Sequence, residues 1–329
     1  MMRDVFLFNP GRLKRKDFTI QYINEENQKK NLPIEQLENI HVFSELDLNT
    51  SFLNLLSQSG VCLHTYNYYG YYAGSYIPRK KQVSGYVDLK QAQYCFEHDK
   101  RIYIAQQFIF GSVHHILRNL RQHKAVCSPF ILRIEEFQKA IKETKDIQTL
   151  MGIEGNIRQT YYGAFNSIIK NDKFHMTKRE KRPPNNPINA LISFGNSLMY
   201  TTVLSELYKT QLNPTISFLH EPCVKRYSLS LDISEIFKPL IIDRLIFSLI
   251  NNRMIKENDF QWIDENICML NENGKKRFLL EYEKKLSQTV KHRKLNRKVS
   301  YRFFIRLECY KLIKHFIGED AYKPLKAWW

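Results

Sequence analysis

PRKKQVSG, residues 78–85, divides the chain into two kinds of sequence. Ahead of it lie short runs with strand character: VFLF (5–8), DFTIQYI (17–23), NIHVF (39–43) and GVCLHTYNY (60–68). The turn residues Asn9, Pro10 and Gly11 between the first two predict a hairpin. NTSFLNLLSQSG (49–60) predicts one short helix, capped by Asn49 or Thr50 and stopped by Gly60. Behind the divide the apolar period lengthens to that of helices. Asp88 is placed to cap a long helix through 89–120. Further helices are expected over 128–145, 146–169 and 185–209, with three or four more beyond Pro239. The expected class is α+β: a strand-rich domain over 1–80, a linker at 81–90, and a larger all-α domain over 91–329.

Bulk composition narrows the function. The 329 residues are 43% hydrophobic and carry a formal net charge of +17. Such a chain can bury a core, and its charge favours a polyanionic partner. No apolar run reaches the length of a spanning helix, and PLIIDRLIFSLI (239–250) is broken by Asp243 and Arg244, so no membrane role is expected. MMRDVFLFNPGR lacks the long apolar core and small-residue site of a signal peptide, so a cytoplasmic setting is expected. The six cysteines are scattered with no C-x-x-C pair, which argues against a zinc ribbon or finger. From Lys275 onward there are 16 Lys or Arg against 5 Asp or Glu, densest in KHRKLNRKVSYRFFIR (291–306). A solvated helix face is the plain reading of such a run; phosphate contact is the sharper one.

Candidate chemistry sits at three places. On the helix over 146–169, Ile147, Leu150, Ile157, Tyr161, Ala164 and Ile168 form an apolar stripe that Glu154 interrupts. A carboxylate there either pairs with Arg158 one turn on or is compensated by something else. Gly152 and Gly155 beside it weaken the helix but let a ligand or another chain come close. In FLHEPCVKRYSLSLDISEIF (218–237), His220 is followed by Asp232 and Glu235. The last two read as a capping box after an extended lead-in, or as two carboxylates on one helix face. Carboxylates and one imidazole, with no thiolate, also suit Mg²⁺ or Mn²⁺. His115 and Arg118 in HHILR form a fragment of a tyrosine-recombinase set, too short a motif to carry weight. Neither a phosphate-binding loop nor a nucleophile elbow occurs.

Four segments in order, LMGIEGNIRQTYYGAFN (150–166), KRPPNNPINALISFGNSLMY (181–200), LNPTISFLHEP (212–222) and SLSLDISEIFKPLIIDRLI (228–246), resemble signatures of the CRISPR-associated adaptation integrases, the Cas-one family. FLFNPGRLKRKDFTI (6–20) and LLSQSGVCLHTYNYYGYYAG (55–74) resemble its opening domain. The resemblance spans about residues 1–260. It implies an N-terminal β-sandwich-like domain that forms a homodimer, followed by an all-helical catalytic domain. It implies metal ligands at Glu154, His220 and Glu235, with Asp232 as a supporting acid, and Mg²⁺ or Mn²⁺ as the ion. Many members carry aspartate where Glu235 stands; glutamate keeps the carboxylate and reaches one methylene further. The implied activity is metal-dependent endonuclease and integrase chemistry, joining captured double-stranded DNA with single-stranded ends to CRISPR repeat array DNA with a Cas-two partner. A non-catalytic DNA-binding scaffold is the alternative. Arg158, Arg179, Arg182, Lys225, Arg226 and Lys238 are candidate phosphate contacts by charge and proximity in sequence.

Overall fold

The structure, a computed structural model, describes residues 3–79, 82–181, 183–222, 227–264 and 266–329, the side chain of Asp264 excepted. It divides into two compact units, 1–81 and 82–329.

The first unit contains β1 (Arg3–Leu7), β2 (Gly11–Lys16), β3 (Thr19–Asn24), β4 (Lys29–Pro33), β5 (Leu37–Val42), β6 (Leu46–Leu48), α1 (Thr50–Ser59), β7 (Cys62–Tyr66) and β8 (Tyr72–Tyr76). They form two four-stranded sheets, ordered β1-β5-β7-β8 and β4-β3-β2-β6. The expected hairpin at Asn9–Gly11 does not form, because that turn carries the chain from one sheet to the other. β1 pairs in parallel with β5, whereas β2 turns back on β3 across Asp17 and Phe18. Asp17 takes a positive φ of 54° there, a conformation aspartate tolerates better than most residues. Alternate residues of both sheets, Leu13, Ile20, Ile40 and Leu63, join Phe52, Leu55 and Leu56 of α1 in one core. α1 is bounded as its sequence indicates. The Asn49 side chain accepts from the Phe52 N–H, and Gly60 closes the helix at φ 72°.

The second unit begins with α2 (Gly85–Phe96) and α3 (His98–Arg121), followed by α4 (Lys124–Glu143), α5 (Ile147–Gly163), α6 (Phe165–Ile168) and α7 (Pro187–Tyr208). The single long helix expected from Asp88 is two helices, broken at Glu97, whose backbone is extended. Ser84, not Asp88, caps the first by accepting from the Val87 N–H, so helix occupies the second half of the expected linker. α8 (Ser228–Phe237) runs into a π-helical turn (Lys238–Asp243) at Pro239 and continues as α9 (Arg244–Asn251). The rest is not all-α. β9 (Phe260–Asp264) and β10 (Ile267–Leu270) form one antiparallel ribbon. After α10 (Glu272–Ser287), β11 (Thr289–Lys291) and β12 (Lys298–Ser300) form another, ahead of α11 (Tyr301–Phe316). Single short hairpins carry too few residues for the period-two pattern to show.

Two glycines let the helices behind the site approach closely. A Cβ on Gly111 of α3 would lie 2.8 Å from Pro324 and 3.1 Å from Ile236 of α8. One on Gly195 of α7 would lie 2.6 Å from Ile242 in the π-helical turn. α8 and that turn are thereby held between α3 and α7, with Leu229, Ile233, Ile236 and Phe237 fully buried.

Candidate active site

α5 presents the stripe its sequence encodes: Ile147, Leu150, Ile157 and Tyr161 are buried. Its start is fixed by Asp146, whose carboxylate accepts from the Thr149 N–H. Glu154 lies at the edge of the stripe, largely covered, and accepts from Arg158 Nε at 3.0 Å. The pairing one turn apart therefore forms, but it is half of a larger arrangement. Arg158 is 9% exposed, and its Nη2 reaches across to the Glu235 carboxylate of α8. Glu235, 7% exposed, also accepts from Lys238 Nζ at 2.5 Å. Two carboxylates far apart in sequence thus meet at one buried guanidinium.

The charges are mutually dependent. Burial alone would raise the Glu235 pKa, yet Arg158, Lys238 and His220 outweigh it and hold the group well below the ordinary glutamate value. Burial likewise opposes the charge on Arg158, and Glu235, Tyr162 and Glu154 keep it firmly protonated. Asp243, in the π-helical turn, shares this pocket of charge. Burial pushes its pKa up to about 7, against the opposing influence of Arg158. Its Oδ2 and the Nη1 of Arg158 are buried with no hydrogen-bond partner.

His220 comes from the irregular segment between α7 and α8. Gln91 of α2 holds this segment, donating to the carbonyls of Asn213 and Ile216 and accepting from the Asn213 N–H. Arg101 of α3 donates to the Phe218 carbonyl at 2.9 Å. Asp232 does the rest. It is not a helix cap: α8 starts at Ser228, so the extended lead-in expected over 227–231 is helical from Ser228 on. Its fully buried carboxylate accepts the backbone N–H groups of Phe218, Leu219 and His220 at 2.7, 3.0 and 2.9 Å, and the Nδ1–H of His220 at 2.7 Å. Fixing the proton on Nδ1 leaves Nε2 as the nitrogen with a lone pair when the ring is neutral. About a quarter of the ring side chain, 26%, remains open. Burial tends to lower the His220 pKa, but the hydrogen bond and charge of Asp232 prevail and raise it above the usual histidine value.

Among the described residues no three His, Cys, Asp or Glu side chains stand together as one ion's coordination group. Glu154 and Glu235 share Arg158, and His220 shares Asp232. The basic candidates divide similarly. Arg158 and Lys238 are engaged with these carboxylates. Arg179 donates to Asn189 and Ser193. Arg182, Lys225 and Arg226 lie outside the described residues. The HHILR pair serves the fold: buried His115 bridges the Ile236 carbonyl and the Ala327 N–H, and Arg118 donates to the Ala327 carbonyl. A groove of about 640 Å³ is lined by Asn156, Gln159 and Tyr162 of α5 together with Lys178 and Arg179. Gly152 and Gly155 are exposed with open space beside them. Sequence reasoning missed Gln91, Arg101 and the involvement of Asp243, all ordinary residues in their local context.

Residues 5–284 match the family described as CRISPR associated protein Cas1. The chain is 57% identical to the CRISPR-associated endonuclease Cas1 of Clostridium perfringens, with 100% of both covered. It is 54% identical to a CRISPR-associated endonuclease Cas1 of Thermodesulfovibrio yellowstonii, again with 100% of both covered. A solved Cas1 protein from Thermotoga maritima shares 42% identity at a TM-score of 0.89, covering 98% of this chain and 100% of that one. A casposase bound to integration product shares the fold at a TM-score of 0.85 and 18% identity, covering 99% of this chain and 93% of that one. The α+β architecture is that of these structures, and the chain belongs to the Cas1 family of CRISPR-associated proteins.

Proposed function

We propose that this chain is a divalent-metal-dependent DNA endonuclease and integrase of CRISPR adaptation. In this reading the 3′-hydroxyl of a captured fragment attacks a phosphodiester of the repeat array, and water in its place gives cleavage. Full-length relatives bear the name endonuclease. The observation that carries the reading is the meeting of Glu154 and Glu235, from separate helices, at a buried cation. His220, held by its Nδ1, acts electrostatically on Glu235.

Glu154, Glu235 and the Nε2 of His220 are the donors offered to an ion. Hard oxygens and one imidazole fit Mg²⁺ or Mn²⁺ chemistry. The carboxylates already enclose a positive charge, that of Arg158, so binding an ion there exchanges one cation for another. When bound, such an ion supplies Lewis-acid charge for phosphoryl transfer. The chain's own residues do the positioning. Asp232 holds the imidazole in one tautomer, Lys238 offsets charge on Glu235, and Arg158, once displaced from the glutamates, is a candidate partner for a phosphate. The chain would act in the prokaryotic cytoplasm as a homodimer with a Cas2 partner, on double-stranded DNA with single-stranded ends. The fold recurs, at a TM-score of 0.84 and 17% identity, in 36% of one chain of a solved Cas6-RT-Cas1–Cas2 complex.

The satisfaction of both glutamates by Arg158 favours one rival, a DNA-binding scaffold without catalysis. Glu154→Ala separates the two. Expected are loss of cleavage and strand transfer, weakened Mn²⁺ binding by calorimetry, and unchanged duplex affinity. Wild-type strand transfer by Glu154→Ala protein, or full activity of the wild type in EDTA, sinks the metal reading. A protein–DNA adduct on a denaturing gel would point to a recombinase instead.

A further inference from the structure

The ribbon of β11 and β12 carries Lys291, Arg293, Lys294, Arg297 and Lys298, all exposed. None of the five has an acidic partner among the ion pairs of the described residues. The bases of the following helix differ. Arg302 pairs with Glu283 at 3.0 Å and Arg306 with Glu206 at 2.7 Å. Between residues 288 and 307 there is no acid at all. Charge is therefore compensated internally on α11 and left uncompensated on the ribbon.

The ribbon's register sharpens the contrast. Val290 faces Val299, which is buried, and Lys291 stands directly opposite Lys298. Like charges opposed across two strands repel, an arrangement a polyanion lying over them would relieve. The turn is also built rather than loose. His292 Nδ1 accepts the N–H groups of Lys294 and Leu295, and its ring stacks on Phe304 and meets Trp328 edge-on. Burial and the surrounding lysines and arginine lower its pKa, which keeps that nitrogen an acceptor. Arg293 lies 4.7 Å over the Trp328 ring and Arg297 lies 5.4 Å over Phe303, so both guanidinium groups are oriented. The ribbon lies beyond residue 284, where the family match ends.

We propose that the ribbon Thr289–Ser300 is a docking element for duplex DNA, contacting the phosphate backbone through its five bases. The B-form major groove admits a two-stranded ribbon, whereas the A-form major groove is too narrow for one. Backbone contacts of this kind supply affinity and register without sequence preference. The element shares no residue with the Glu154 site, and it stands whether or not that site is loaded.

The test uses the full chain carrying K291Q, R293Q, K294Q and R297Q together, with blunt duplex DNA titrated by fluorescence anisotropy between about 50 and 200 mM salt. The valines, His292 and the aromatic cluster are retained, and a thermal melt checks the fold. The expected result is at least a tenfold loss of affinity, and a log–log salt slope shallower by about 3.6, or about 0.9 per lost contact. A charge-conserving R293K/R297K protein is expected to keep the wild-type slope, which guards against a folding artefact. Mn²⁺ binding by the fourfold variant in calorimetry is expected to match the wild type, so a failure of the ribbon and a failure of the metal site read out separately. An unchanged slope in the fourfold variant overturns the proposal. So does an equal loss of affinity for duplex RNA of the same length.

Discussion

His220 is joined to Asp232 twice, by its backbone N–H at 2.9 Å and its Nδ1–H at 2.7 Å, both to the same carboxylate oxygen. Side-chain placement and loop placement are thus one event. We predict that Asp232→Asn loosens the loop and frees the ring together, because an amide oxygen cannot replace four accepted hydrogen bonds. The stability loss should be about 2–3 kcal/mol, as for a hydrogen bond to a charged group. Because the fold raises the His220 pKa, its protonated form adds stability below its ordinary pKa of about 6.5, and the gain is lost as pH rises through the folded value. The gap between wild type and variant in urea unfolding should therefore be wider on the acid side of that value than on the alkaline side. Equal gaps would refute it.

Arg158→Met should strand Glu154 and leave Glu235 with Lys238 as its remaining cation. Removing one partner of a buried ion pair costs about 3–5 kcal/mol. Added Mn²⁺ should raise the melting temperature of this variant more than that of the wild type, by giving the carboxylates another cation. A variant indifferent to Mn²⁺ would count against an ion site at these two residues.

Asp243 should make stability fall as pH rises. Its folded pKa of about 7 lies above the ordinary aspartate value of about 3.9, so the folded state holds the extra proton between them. Stability from this group is full at low pH and lost on the way up to neutrality. Asp243→Asn should flatten that slope and leave the protein more stable than wild type in mildly alkaline buffer. An unaltered pH profile in chemical unfolding would contradict it.

Two glycine substitutions should part company. Gly195→Ala puts a Cβ 2.6 Å from Ile242 and should destabilise by about 1–3 kcal/mol through overpacking. Gly152→Ala has open space and should stabilise α5 by up to about 1 kcal/mol. If a partner or ligand approaches α5 at this point, the same alanine should weaken its binding. Thermal melts and DNA titrations of the two proteins decide both points.

What the sequence disclosed follows the range of the interactions involved. The cap at Asn49, the stop at Gly60 and the stripe of α5 are settled within a few residues, and all are as expected. The N-terminal turn lies beyond local signals because β1 pairs not with β2 but with β5, 35 residues on. Asp232 looked like a cap because Asp-x-x-Glu is a local signal. Its actual partners, the N–H groups of 218–220, lie on the preceding loop and leave no trace at that spacing. The pairing of Glu154 with Arg158 was legible; the reach of Arg158 to Glu235, 77 residues on, was not.

The guanidinium between those glutamates has a further consequence for how the protein is made. Each carboxylate finds its counter-charge within the same chain, so the fold can be completed and stored with no outside ion in place. Under the proposed metal-dependent activity, maturation and ion supply are then independent events, and a cell short of the ion would still accumulate correctly shaped protein.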